Sequence, residues 1–95
     1  MKLKQEHLKI ELSGSFGKTI NYVFEAYRFA VKLNITGYVK RCNEQMIEIA
    51  ASGKPDAIQN FSTHLKELCG NTIKSKIKKS KQDIAYHEFR ILSGR

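Results

Sequence analysis

The stretch from Gly53 to Gly70 constrains the fold of this chain more than any other. Gly53-Lys54-Pro55-Asp56 is a helix start, because Pro fits a first turn whose backbone N–H has no partner and Asp suits the positive end of the helix dipole. Ile58, Phe61, Leu65 and Leu68 then recur at three- and four-residue spacing and make one apolar stripe. Gly70, directly after Cys69, is a suitable C-terminal cap. A helix with a single stripe must lay that stripe on another layer and leave its back to water.

A second helix is expected from about Ile20 to Leu33. Val23, Phe24, Tyr27, Ala30 and Val31 fall at helical spacings there, with Glu25, Arg28 and Lys32 between them. Asn34 is the expected stop, and Gly37 follows soon after. The other segments alternate. Leu8-Lys9-Ile10-Glu11-Leu12 has the two-residue period of a half-buried strand, and the small residues of 13–18 break it into a turn or loop. Tyr38-Val39-Lys40 and Met46-Ile47-Glu48-Ile49-Ala50 flank the polar turn Asn43-Glu44-Gln45 and read as a hairpin. Thr72 to Ile77 alternates with Ile73 and Ile77 on one face. Lys78 to Gln82 reads as a charged connector, and Tyr86 to Leu92 as a last strand.

The order is strand, helix, strand, strand, helix, strand, strand. Both helices carry one stripe, so both cover the same face of the sheet. The expected class is α+β: a ferredoxin-like α/β sandwich, two helices on one face of a four- to five-stranded, mostly antiparallel sheet. At 95 residues the whole chain, 1–95, reads as one such domain. The fold by itself says little about function.

Charge narrows the partners. The 17 Lys and Arg exceed the 9 Asp and Glu, for a net charge of +8, which suits an anionic partner or simply a well-solvated surface. Lys74, Lys76, Lys78, Lys79 and Lys81 crowd one segment, and Lys74, Lys76 and Lys78 share strand parity. Such a row serves either a nucleic-acid or acidic-protein surface, with Tyr86 as an aromatic neighbour, or an edge strand guarded against aggregation. Cys42 and Cys69 lack a second Cys or His at ligand spacing and read as free thiols; no metal site is expected. His7, His64 and His87 are not at catalytic spacing and read as structural. No stretch is long and apolar enough for a membrane helix, and the polar N-terminus does not resemble a signal peptide. A cytoplasmic monomer is the expectation.

The landmarks resemble the acylphosphatase family over Leu8 to Leu92. Ala30, Leu33 and Ile35 match the end of that family's first helix. Gly37-Tyr38-Val39-Lys40 matches its Gly-Trp-Val-Arg strand, and Ile47-Glu48-Ile49 with Gly53 its Val-Glu strand and closing glycine. Ala57, Phe61, Leu65 and Phe89 match its second helix and last strand. The resemblance implies hydrolysis of the carboxyl–phosphate bond of acyl phosphates, with no metal or organic cofactor.

The departures fall on the chemistry. Counting from Ala30 puts Val23 where the family has its phosphate-binding Arg. Counting from Gly37 puts Arg41 where it has its water-positioning Asn. No Arg lies between Gly14 and Tyr27, so a shifted register does not restore the first. Arg is suited to phosphate by its permanent charge and bidentate fork, and Asn to water by an amide that does not ionise. Val23 does neither, and Arg41 has no acceptor for a water proton. The implied reading is a divergent acylphosphatase-like domain, without the catalytic Arg and Asn, whose hydrolysis is lost or strongly reduced. Its loop at Ser15, Phe16, Gly17, Lys18 and Thr19, with Arg41 beside it, would still hold a phosphate or small acyl phosphate. The alternatives are an active enzyme with a rearranged site, using Asn21 or Asn43 to place the water, and a basic binding module for nucleic acid or an acidic protein.

Overall fold

Alternation decides which side of each strand meets the helices. In a computed structural model, which describes residues 6–14, 21–70, 73–79 and 88–92, seven elements form. They are β1 (Glu6–Gly14), α1 (Tyr22–Lys32), β2 (Thr36–Asn43), β3 (Met46–Gly53), α2 (Pro55–Cys69), β4 (Ile73–Lys79) and β5 (Phe89–Leu92). The sheet order is β4-β1-β3-β2-β5; every pairing is antiparallel except β2 with β5. This is the expected sandwich, with five strands. Leu8, Ile10 and Leu12 pair with Ala51, Ile49 and Ile47, and all six are buried beneath the helices. Val39 and Phe89 extend the same layer.

Both helices close that layer, with some exchange of expected residues. In α2, Ile58, Phe61 and Leu65 are buried as expected, but Cys69 completes the stripe and Leu68 is only half-buried. In α1 the buried residues are Ala26 and Ala30, with Val23 and Tyr27 packed beside them, while Phe24 and Val31 are about half exposed. The expected stripe was too wide: small alanines let α1 approach the sheet, and the flanking large residues swing outward. Phe61 meets Phe89 edge-on at 6.2 Å between ring centroids, and Tyr27 meets Phe89 at 6.4 Å, so the last strand is tied to both helices.

The helix ends follow local chemistry. Asn21 Oδ1 accepts from the Phe24 N–H at 3.1 Å and caps α1, an arrangement worth about 1 kcal/mol. Asn34 takes the left-handed conformation at φ 58° that stops it, as expected. Pro55 opens α2 and Gly70, at φ 59°, closes it. Several strands outrun their expected bounds. Lys78 and Lys79 belong to β4 rather than to a connector, because β1 continues far enough to pair with both. Among the described residues of the expected last strand, Phe89 to Leu92 are strand and Glu88 is not; Tyr86 and His87 lie outside the described residues.

Candidate functional site

Topology gathers the ends of three elements at one end of the sandwich. β1 finishes at Gly14, whose N–H donates to the Gln45 carbonyl in the β2–β3 turn at 3.0 Å. β2 therefore finishes at the same end of the sheet as β1, with β3 between them. α1 begins at Tyr22, eight residues after β1 ends at Gly14, so its first turn lies towards that same end. Two of the expected positions are here. Val23 sits in the first turn of α1, partly buried against the core. Arg41 sits near the end of β2, two residues beyond the buried Val39 and so on the helix side.

Local bonding sets what these groups do. Arg41 is exposed and turns back on its own hairpin: Nε donates to the Asn43 carbonyl and an Nη to the Glu44 carbonyl, both at 3.3 Å. Asn43 Oδ1 accepts from the Gln45 N–H at 2.7 Å. Asn21 Oδ1 is taken by the helix cap. Both asparagines considered for placing a water thus have their amide oxygens engaged by backbone N–H groups, one at a helix cap and one at a turn. Ser15, Phe16, Gly17, Lys18 and Thr19 lie outside the described residues, as does Lys81.

The remaining sequence candidates scatter. His64 is exposed and stacks on Phe29 at 4.8 Å between ring centroids. His7 Nδ1 lies 2.7 Å from the Ser52 hydroxyl across β1 and β3. Among the described residues no three His, Cys, Asp or Glu side chains are grouped to hold a metal. No described helix is long and apolar enough to cross a membrane. Lys74, Lys76 and Lys78 line the open face of β4, opposite the helices, whereas Lys79 has the other parity.

Neither cysteine is in a disulfide; Cys42 is exposed and Cys69 buried. Burial pushes the Cys69 thiol above its ordinary pKa, since the thiolate is poorly solvated there. Native protein is therefore expected to react with Ellman's reagent at Cys42 alone, and at both thiols only in denaturant. The same shift makes the folded state hold its proton longer than the unfolded chain. That contribution to stability is complete below the ordinary thiol pKa of the unfolded chain and is lost as pH rises from there through the raised native value.

Sequence reading missed one network. Tyr38 donates its hydroxyl to Glu48 Oε2 at 2.6 Å, and Lys9 Nζ lies 3.7 Å from the other carboxylate oxygen. The three come from three strands. Parity put each on the open face, but only the pairing register makes them neighbours.

Comparison with known proteins agrees with the fold. The acylphosphatase family model matches residues 8–91. An acylphosphatase from Yersinia pseudotuberculosis is 29% identical over 48 residues, which are 50% of this chain and 52% of that protein. The chain thus spans about half the length of the curated relative it matches. Among solved structures, an acylphosphatase from Coxiella burnetii superposes with a TM-score of 0.80 at 20% identity, covering 93% of each chain. One from Bacillus subtilis gives 0.71 at 22% identity, covering 92% of this chain and 98% of that one. At these identities the structures speak for the fold.

Proposed function

Because the chain belongs to the acylphosphatase family, we propose that it keeps the family's phosphate-binding end but hydrolyses acyl phosphates poorly or not at all. The observation that carries this is the uncharged Val23 in the first turn of α1, the position at which counting back from Ala30 puts the family's phosphate-binding Arg. Acyl-phosphate hydrolysis needs a cation to hold the dianionic phosphate and an acceptor to orient the attacking water in line. Val23 offers no charge. Arg41 offers charge, but it has no acceptor, and two of its donors are bound to turn carbonyls.

Binding survives more easily than turnover. A helix start supplies backbone N–H groups and a positive dipole end, which attract phosphate without any particular side chain. Residues 15–20, with Lys18, lie in sequence between β1 and that start, and Arg41 lies near the end of β2. The ligand class is a phosphate or small acyl phosphate.

Two measurements on the purified protein test this. Benzoyl phosphate should not be hydrolysed above the buffer rate. Inorganic phosphate should shift the backbone amide resonances of residues 21–25 in a saturable way. Rapid turnover would show that another group replaces the Arg and would favour an active, rearranged enzyme. An absence of shifts would remove the binding half.

A further inference from the structure

The two edges of the sheet are unlike. β4 carries four lysines, Lys74, Lys76, Lys78 and Lys79, and such a row deters further strands from adding there. β5, at the other edge, is Phe-Arg-Ile-Leu, and its one cation, Arg90, is paired with Glu88. The exposed large apolar side chains among the described residues all lie on this side. Ile91 and Leu92 of β5 are 47% and 39% exposed, and Phe24 and Val31 of α1 are 48% and 51% exposed. α1 has two flanks. Phe29, on one, stacks on His64 of α2. Phe24, Tyr27 and Val31 fall on the other at three- and four-residue spacing, and Tyr27 meets Phe89, so this flank runs along β5. Beyond it the described residues place no further element.

The edge itself is open in a regular way. The Gly37 N–H donates to the Glu88 carbonyl, and in the parallel ladder that follows, Glu88, Arg90 and Leu92 turn their backbone groups towards β2. Phe89 and Ile91 therefore turn their N–H and C=O groups outward, and neither has a partner there among the described residues. We infer that β5 accepts an added strand from another protein, an extended segment in which apolar and acidic residues alternate. Backbone bonds to Phe89 and Ile91 supply its pairing. Its apolar side chains, on the helix side with Ile91, lie under the flank of Phe24, Tyr27 and Val31. An apolar patch beside an unpaired edge marks such an interaction surface. Its acidic side chains fall on the open face beside Arg90. Arg90 gives Nε to Glu88 and keeps its Nη groups for a second carboxylate. Charge also decides against a second copy of this chain. Each copy carries a net +8, which opposes self-association. A symmetric antiparallel pairing that joins Phe89 to Ile91 in both directions sets Arg90 opposite its own copy, and like charges directly opposed are destabilising.

The test is fluorescence anisotropy with a short labelled peptide of alternating valine and glutamate at neutral pH. Saturable binding is expected. N-methylating the peptide backbone throughout, which removes its donors but not its charge, should weaken binding at least about tenfold. Phe24→Gln with Val31→Gln should weaken it by about tenfold as well. Ile91→Pro removes an outward N–H and no bond to β2, so binding should fall while the melting temperature holds. Circular dichroism melts identify any variant that has lost its fold, and the methylated peptide keeps the test intact if one has. Undetectable binding overturns the inference, and so does equal binding by the methylated peptide or by the glutamine pair. An equally tight peptide of alternating valine and lysine overturns the acidic assignment. A wild-type chain that sediments as a dimer, and as a monomer once Phe24 and Val31 are replaced by glutamine, assigns the edge to a second copy instead. Displacement by inorganic phosphate, at the concentration that saturates the start of α1, would place the peptide there and also overturn the inference.

Discussion

The Val23→Arg, Arg41→Asn double variant is expected to hydrolyse benzoyl phosphate at least about 100-fold faster than the wild type. The figure follows from what each group adds. A fixed donor aimed at developing charge is typically worth about 100- to 1,000-fold in rate. Arg at position 23 would start from the first turn of α1, where phosphate would already meet backbone N–H groups. Its stem would replace a partly buried Val, so the aliphatic part keeps some packing while the head reaches outward. Asn at position 41 would bring an uncharged acceptor to the end of β2 and release the Asn43 and Glu44 carbonyls to water. The two roles act as a unit, so neither single change should recover most of the gain. Steady-state release of benzoate, compared across the wild type and three variants, measures it. A double variant as slow as the wild type, with its fold intact, would mean that these are not the two positions that matter.

Gly37→Ala is expected to destabilise the fold by about 4 kcal/mol or more, most of what a chain of this size has. Gly37 lies in β2 at φ 138°, a conformation that side chains rarely adopt. A Cβ there would stand 1.9 Å from the Ala50 carbonyl oxygen and 2.8 Å from its carbon. Both are backbone atoms of the paired strand, so no rotamer relieves the overlap and the hairpin itself must open. The damage spreads, because the Gly37 N–H also donates to the Glu88 carbonyl at 3.1 Å and aligns β5. The melting temperature should fall by about 20 °C or more. Gly53→Ala is the control: the nearest atoms a Cβ there meets belong to Ile35 and Ile58, at 3.4 Å or more, and the change should cost under about 1 kcal/mol. Equal melting of the two variants would mean that the close approach at Gly37 relaxes freely.

Much of the fold was legible because its signals are local. Period two marked β1 and β3, the spacing of Ile58, Phe61 and Leu65 marked α2, and Pro55, Asn34 and Gly70 marked helix ends. Each needs only a residue and its near neighbours. The errors arose where a distant partner decides. Nothing near Phe24 or Val31 says that Ala26 and Ala30 will sit against the sheet instead. Lys78 and Lys79 look like a connector until β1 is known to extend beside them.

The same division runs through the functional residues. The sequence alone determined the chemical inventory: no Arg between Gly14 and Tyr27, an arginine at position 41, and a surplus of cations. Only the tertiary structure decided what that inventory can reach. It turned Arg41 onto the carbonyls of its own hairpin. It also set Lys78, Lys9, Tyr38 and Arg90, drawn from four strands, into one row. The reason is physical: side-chain identity and period are properties of the chain, whereas register is fixed by pairing between segments about seventy residues apart, such as Lys9 and Lys78.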